Sequence, residues 1–141
     1  MRRLLLVAAT VLVVAPAASG ASASPCALVT ADDAGKALGI KVGTGKSRTL
    51  GLYKACTYTK GRKTLTVLVR KIDKGTFEKS AKKNPPPVFP IPGIGDAAFS
   101  AGGGAALLVW KNGTEVTFTF VGVSPVVQTQ KDVANAALKR L

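Results

Sequence analysis

The stretch Pro90–Val121, PIPGIGDAAFSAGGGAALLVWKNGTEVTFTFV, decides the fold. At its centre stands Asn112-Gly113, the pair that a two-residue type I′ turn asks for, because both central positions take φ > 0. Such a turn fixes the pairing on either side. Lys111 faces Thr114, Trp110 faces Glu115, Val109 faces Val116, Leu107 faces Phe118 and Ala105 faces Phe120. Side chains alternate along a strand, so Ala105, Leu107, Val109, Val116, Phe118 and Phe120 share one face. Glu115, Thr117 and Thr119 share the other, with Leu108 and Trp110 across from them. One apolar and one mixed face describe an antiparallel sheet covered by helices on one side. The pattern fixes an architecture and carries no chemistry.

Upstream of this hairpin, Gly93-Ile94-Gly95-Asp96 leads into a strand at Ala97 to Ala101 anchored by Phe99, and Gly102-Gly103-Gly104 connects that strand to the hairpin. Pro85-Pro86-Pro87 ends a short helix expected over Thr76 to Lys83, in which Phe77 and Ala81 form the buried stripe. Further back, Ala55 to Thr59 and Thr64 to Ile72 alternate as a second hairpin, with Leu65, Val67 and Val69 on one face and Thr64, Thr66 and Arg70 on the other. Ile40 to Tyr53 reads as a weak first strand broken by glycines. Thr30 with Asp33 forms a capping-box start for a short helix that Gly39 stops. Downstream, Ser124-Pro125 is expected to open a closing helix with a 3.6-residue apolar period. The fold class expected is therefore α+β: one antiparallel sheet of five to six strands, helices on one face, in the order α-β-β-β-α-β-β-β-α.

Residues 1–23 stand apart from this domain. Arg2-Arg3, the apolar run Leu4 to Ala15 and the small, bend-prone residues after it have the order of a secretory signal peptide. Ala21-Ser22-Ala23 fits the small-x-small cleavage rule and leaves residues 24–141 as a single secreted domain; Ala15-Pro16-Ala17 and Ala18-Ser19-Gly20 are alternative sites. The apolar run is short for a bilayer span, which needs about 20 residues. Two cysteines remain, Cys26 and Cys56, and an even count in an exported chain points to a disulfide. A metal site is not expected, since the chain has no histidine and two thiols fall short of a tetrahedral set.

The formal charge is +13, from 20 Lys+Arg against 7 Asp+Glu, and loss of Arg2 and Arg3 with the leader lowers it to +11. Between Lys54 and Lys83 the excess is concentrated, with Lys60, Arg62, Lys63, Arg70, Lys71, Lys74, Lys82 and Lys83 as candidate polyanion-binding residues. Such a field attracts anionic envelope polymers, lipid headgroups or acidic glycans; outside the cell nucleic acid is not the expected partner. Solubility alone is the competing explanation. Asp96, in a glycine-flanked turn, and Trp110, on the face away from the main core, are candidate ligand contacts with structural alternatives: a turn cap and an aromatic covered by the Pro-rich connector.

Catalysis finds little support. Gly43-Thr44-Gly45-Lys46-Ser47 ends like a phosphate-binding P-loop, yet Ile40 stands where the first glycine belongs and a helix precedes rather than follows. Without histidine, Ser-His and Cys-His arrangements are impossible. A carboxylate-based hydrolase would need two of the scattered acids to converge. A lipid or small-ligand carrier would need an apolar pocket. No catalytic residue and no cofactor is expected.

Three features together, Pro25-Cys26-Ala27-Leu28-Val29-Thr30 opening a helix that ends in Leu38-Gly39, Cys56-Thr57-Tyr58 heading a strand, and Pro92-Gly93-Ile94-Gly95-Asp96-Ala97-Ala98 before the last hairpin, resemble the small exported proteins and lipoproteins of actinobacteria that carry a domain of unknown function. The resemblance covers the mature chain. It implies an envelope or secreted location and the same cysteine pairing, and it brings no catalytic residues. Pro25 departs from the residue that precedes an acylated cysteine, which argues against a lipid on Cys26. The expectation is an exported, non-catalytic binding or accessory domain.

Overall fold

The computed structural model describes residues 24–141, so the leader expected over 1–23 lies outside the described residues. The elements run α1 (Pro25–Leu28), α2 (Ala31–Leu38), β1 (Lys46–Leu50), β2 (Tyr53–Lys60), β3 (Lys63–Lys71), α3 (Lys74–Ala81), β4 (Phe89–Pro90), β5 (Ala97–Ala101), a 3-10 turn at Gly102–Gly104, β6 (Ala106–Lys111), β7 (Thr114–Val121) and α4 (Val127–Leu138). All seven strands form one antiparallel sheet in the spatial order β1-β2-β3-β7-β6-β5-β4. Seven strands replace the five to six expected, because the Pro-rich connector adds the two-residue edge strand β4. The element order gains β4 and the single turn of α1 as well.

The Asn112-Gly113 hairpin has the register that its turn dictates, from Lys111↔Thr114 to Leu107↔Phe118. Asn112 takes φ 47° and Gly113 φ 78°. The ladder ends at Ala106↔Thr119, and exposed Ala105 belongs to the turn after the three glycines, although its carbonyl still accepts the Phe120 N–H at 2.8 Å as the turn requires.

On the inner face, Cys56, Tyr58, Leu65, Val67, Val69, Leu107, Val109, Val116, Phe118 and Phe120 are buried under α1, α2 and α4. Helix α2 starts as its sequence requires. Thr30 accepts from the Asp33 N–H at 3.2 Å, Asp33 accepts from the Thr30 N–H at 3.0 Å, and Gly39 closes the helix at φ 64°. Cys26 and Cys56 are bonded and tie α1 to β2. Closing a loop of 30 residues this way is worth about 3–4 kcal/mol on a chain-entropy view. Gly45 passes directly over this junction; a methyl group there would fall 2.6 Å from the Tyr58 ring and closer still to Cys56 Sγ.

The outer face corrects the one-sided expectation. Helix α3 packs on it over β5 and β6, burying Phe77, Ala81, Ala101 and Leu108 against Phe99 and Trp110. Asp73 caps α3 by accepting from the Thr76 N–H at 2.9 Å, so the helix starts two residues before Thr76. Ser124-Pro125 likewise does not open α4, which begins at Val127 after Val126 as an N-cap without a side-chain hydrogen bond. Helices thus lie on both faces, and the outer one is covered only in part.

Candidate functional site

Antiparallel pairing aligns outer-face residues in rows across β1, β2, β3 and β7. Lys46, Thr57, Thr66 and Thr119 make one row; Arg48, Ala55, Leu68 and Thr117 make the next. Thr59 and Thr64 pair beyond them, their hydroxyl oxygens 3.2 Å apart. At the opposite end Tyr53, Arg70 and Glu115 lead to Trp110 under α3. The uncovered half of the sheet is thus floored with threonine hydroxyls and edged by two cations of β1. Threonine suits this duty, since its β-branched stem fits an extended strand while its hydroxyl meets water.

The border between the two halves is an ion pair. Arg70 Nε donates to Glu115 Oε2 at 2.6 Å, its guanidinium lies 4.6 Å above the Tyr53 ring, and its second nitrogen donates to Ser80 Oγ of α3 at 3.3 Å. Glu115 is only 2% exposed and also accepts from Thr117 Oγ1 at 3.0 Å. Burial, and then the Glu115 charge, push the Tyr53 phenol up, while Arg70 opposes them. The net effect keeps the ring neutral.

Every acid of the chain is engaged within the protein. Asp32 pairs with Lys36 at 2.8 Å, Asp33 with Arg140 at 2.6 Å and Glu115 with Arg70. Glu78 stands 4.0 Å from Lys74, and Asp73 caps α3. Asp96 accepts the Asn112 N–H at 3.2 Å, and Asp132 accepts from Gln128 at 2.8 Å. Among the described residues no carboxylate lies within ion-pair distance of Lys46 or Arg48. The cations of the open face stand without counter-charge.

The basic run between Lys54 and Lys83 is not one patch. Lys60, Arg62 and Lys63 sit at the β2–β3 turn, whereas Arg70, Lys71 and Lys74 lie at the far end of the nine-residue β3, roughly 26 Å away at strand spacing. Lys63 donates to the Leu38 carbonyl at 3.1 Å, and Lys71 donates to Thr114 Oγ1 at 2.7 Å. Lys82 and Lys83 are exposed just past the end of α3. Trp110 is half-buried in the α3 cluster and donates Nε1–H to the Ile72 carbonyl at 2.8 Å, so packing occupies it. The Asp96 carboxylate is a turn cap on the edge of a depression shared with Lys111 and Lys139. Cys26 and Cys56 are joined.

Linear reading missed Lys46 and Arg48, whose only signal is their alternation on a strand whose neighbours alternate threonines. Lys46 lines a cavity of about 140 Å³ with Gly43, Thr44, Thr57 and Thr59. Thr57 Oγ1 is buried there without any hydrogen-bond partner. Elsewhere, an apolar depression of about 510 Å³ runs between Phe89, Pro125, Val126 and Val127. Among the described residues no group of three or more potential ligands gathers for a metal ion, and no helix is long and apolar enough to cross a membrane. No protein-family model, curated protein or solved structure matches this chain.

Proposed function

We propose that this is an exported, non-catalytic binding or accessory domain of the cell envelope, and that its open sheet face holds an anionic envelope polymer. One observation carries the reading: all seven acids are engaged elsewhere, so Lys46 and Arg48 present uncompensated charge beside rows of hydroxyls. A polymer of charged and hydroxylated units meets both features, charge from the β1 edge and hydrogen bonding from the floor. The extracytoplasmic address takes its support from the Cys26–Cys56 bond, since disulfides persist in oxidising compartments, and from the likeness to the small exported actinobacterial proteins. The non-catalytic reading rests on the separate local duty of each carboxylate. A lipid or small-ligand carrier is the second reading, favoured by the depression at Phe89, Val126 and Val127, where these side chains are 57%, 68% and 49% exposed.

Retention of the secreted chain on immobilised anionic envelope polymer, measured at rising salt, tests the proposal. Retention should fall steadily with ionic strength, because exposed charges separated by more than a Debye length of about 8–10 Å are screened. A Lys46→Gln/Arg48→Gln double variant should bind about tenfold more weakly, and Lys82→Gln/Lys83→Gln should bind nearly as wild type. Retention indifferent to salt, or equal loss in both double variants, would overturn the reading. Binding only to apolar ligand, lost on Val126→Ser, would transfer the function to the second depression.

A further inference from the structure

The loop before β1 and the first turn of the open face build a smaller site inside the larger one. Thr44 of the loop and Lys46 of β1 stand beside Thr59 and Thr57 of β2, the last three on the outer face, and together with Gly43 they line the cavity of about 140 Å³. Its lining offers one ammonium and three hydroxyls and contains no carboxylate. The donors come from two sides, the β2 floor and the β1 edge. An ammonium with several hydroxyls, one of them shared with Thr64, is a point charge with rotatable donors, suited to the four oxygens of a tetrahedral oxyanion; a planar carboxylate is better matched by the fork of an arginine.

Two details sharpen this. Thr57 Oγ1 is buried and unpartnered, and one rotamer step about its χ1 exchanges the hydroxyl with the methyl group or the hydrogen. Such a step brings the hydroxyl within reach of an oxyanion seated in the cavity. At Gly43 an added Cβ would meet nothing within 4 Å, so the rim at that residue is open. Gly45, in contrast, has no such room, because Cys56 and Tyr58 fill the space beneath it and hold the loop down on the sheet.

From these positions we infer that Thr44, Lys46, Thr57 and Thr59 form a phosphate-binding subsite. It takes a free phosphate or the phosphodiester of a polymer, and it rests on the preceding section for the polymer alone. No bond is made or broken in it; the group is held by charge and hydrogen bonds.

The test uses the mature chain labelled with 15N and titrated with inorganic phosphate, with acetate at matched ionic strength as the comparison. Phosphate should shift the amide signals of residues 43–46, 57 and 59 saturably, whereas acetate should move them little. Lys46→Gln should weaken phosphate binding about tenfold, as expected for a lost charge-assisted contact, while Lys131→Gln, on α4, should change it less than about twofold. Thr57→Val should melt no lower than wild type, since it removes a hydroxyl that has no partner, and still bind phosphate more weakly. Shifts spread over the lysines at large, or equal behaviour of Lys46→Gln and Lys131→Gln, would overturn the subsite. Titration with glycerol phosphate and with the polymer separates the sources. Phosphate seated here without polymer retention removes the polymer reading and leaves the subsite; polymer retention without these shifts does the reverse.

Discussion

Over β5 and β6 the outer face of the sheet is sealed by α3, whereas over β2, β3 and β7 Thr57, Thr64, Thr66, Leu68 and Thr119 on the same face stay partly exposed. One row of the sheet runs from the edge to the cover: exposed Arg48, buried Ala55, half-buried Leu68 and buried Thr117 lead directly to Leu108 and Phe99. The difference lies in the outward-facing residues. On the sealed side they are Phe99, Ala101, Leu108 and Trp110, and Phe77 of α3 meets the Phe99 ring at 5.9 Å between centroids. On the open side they are mainly threonines, which gain little from being covered. What the contrast teaches is that a cover forms where apolar area is available, and that Arg70–Glu115 marks where that area ends.

The largest effect expected is loss of the cover. Phe77→Ala should cost about 3–5 kcal/mol, because the ring is fully buried and leaves a cavity behind. Thr66→Val, in the middle of the open half, should stay within about 0.5 kcal/mol of wild type. Urea denaturation of the two variants checks the contrast, and similar losses would erase it.

Next comes the border. Glu115→Ala should cost about 2–3 kcal/mol, since it strands the Arg70 guanidinium and removes the acceptor of Thr117. That is below the toll for a fully enclosed pair, because Arg70 keeps 16% exposure and can turn toward water. Amide exchange along α3 should quicken in this variant, whereas exchange along α2 should not. Equal quickening in both helices would show that the pair serves the whole sheet rather than the border.

The smallest effect belongs to the inner face and is a dependence on pH. Burial alone would raise the Asp33 carboxyl, but hydrogen bonds from Thr30 and the Arg140 guanidinium outweigh it and hold the carboxyl below its ordinary 3.8. A depressed folded value means that the contribution is complete above the unfolded value and is lost as pH falls through the folded one. Thermal stability should therefore decline below about pH 4, and Asp33→Asn should flatten part of that decline. The open face, whose Lys46 and Arg48 face no carboxylate within ion-pair distance, should keep its salt-dependent binding down to the same pH.

Much of this was legible in the residues because it is local. Asn112-Gly113 admits one tight turn, and from it the register of β6 and β7 follows residue by residue. Thr30 and Asp33 cap each other across a single helical turn, and Gly39 ends that helix. Two helix starts were less legible. The sequence places the start of α3 at Thr76 and that of α4 at Ser124-Pro125; in the fold the Asp73 carboxylate caps an α3 that begins two residues earlier, and α4 begins at Val127 without a side-chain cap.

The candidate site was not legible, for a geometric reason. Lysines that crowd together between Lys54 and Lys83 in the chain are drawn apart by the length of β3. Lys46, Thr57, Thr66 and Thr119 span 74 positions of sequence and become neighbours only when four strands pair. The order of residues by itself determined the turns, the caps, the alternation of each strand and the surplus of positive charge, all of which act over a few bonds or need no geometry at all. The folded sheet alone decided which side chains share a face, which half of that face α3 covers, and which cations remain without a partner, because those outcomes depend on contacts between segments distant in the chain.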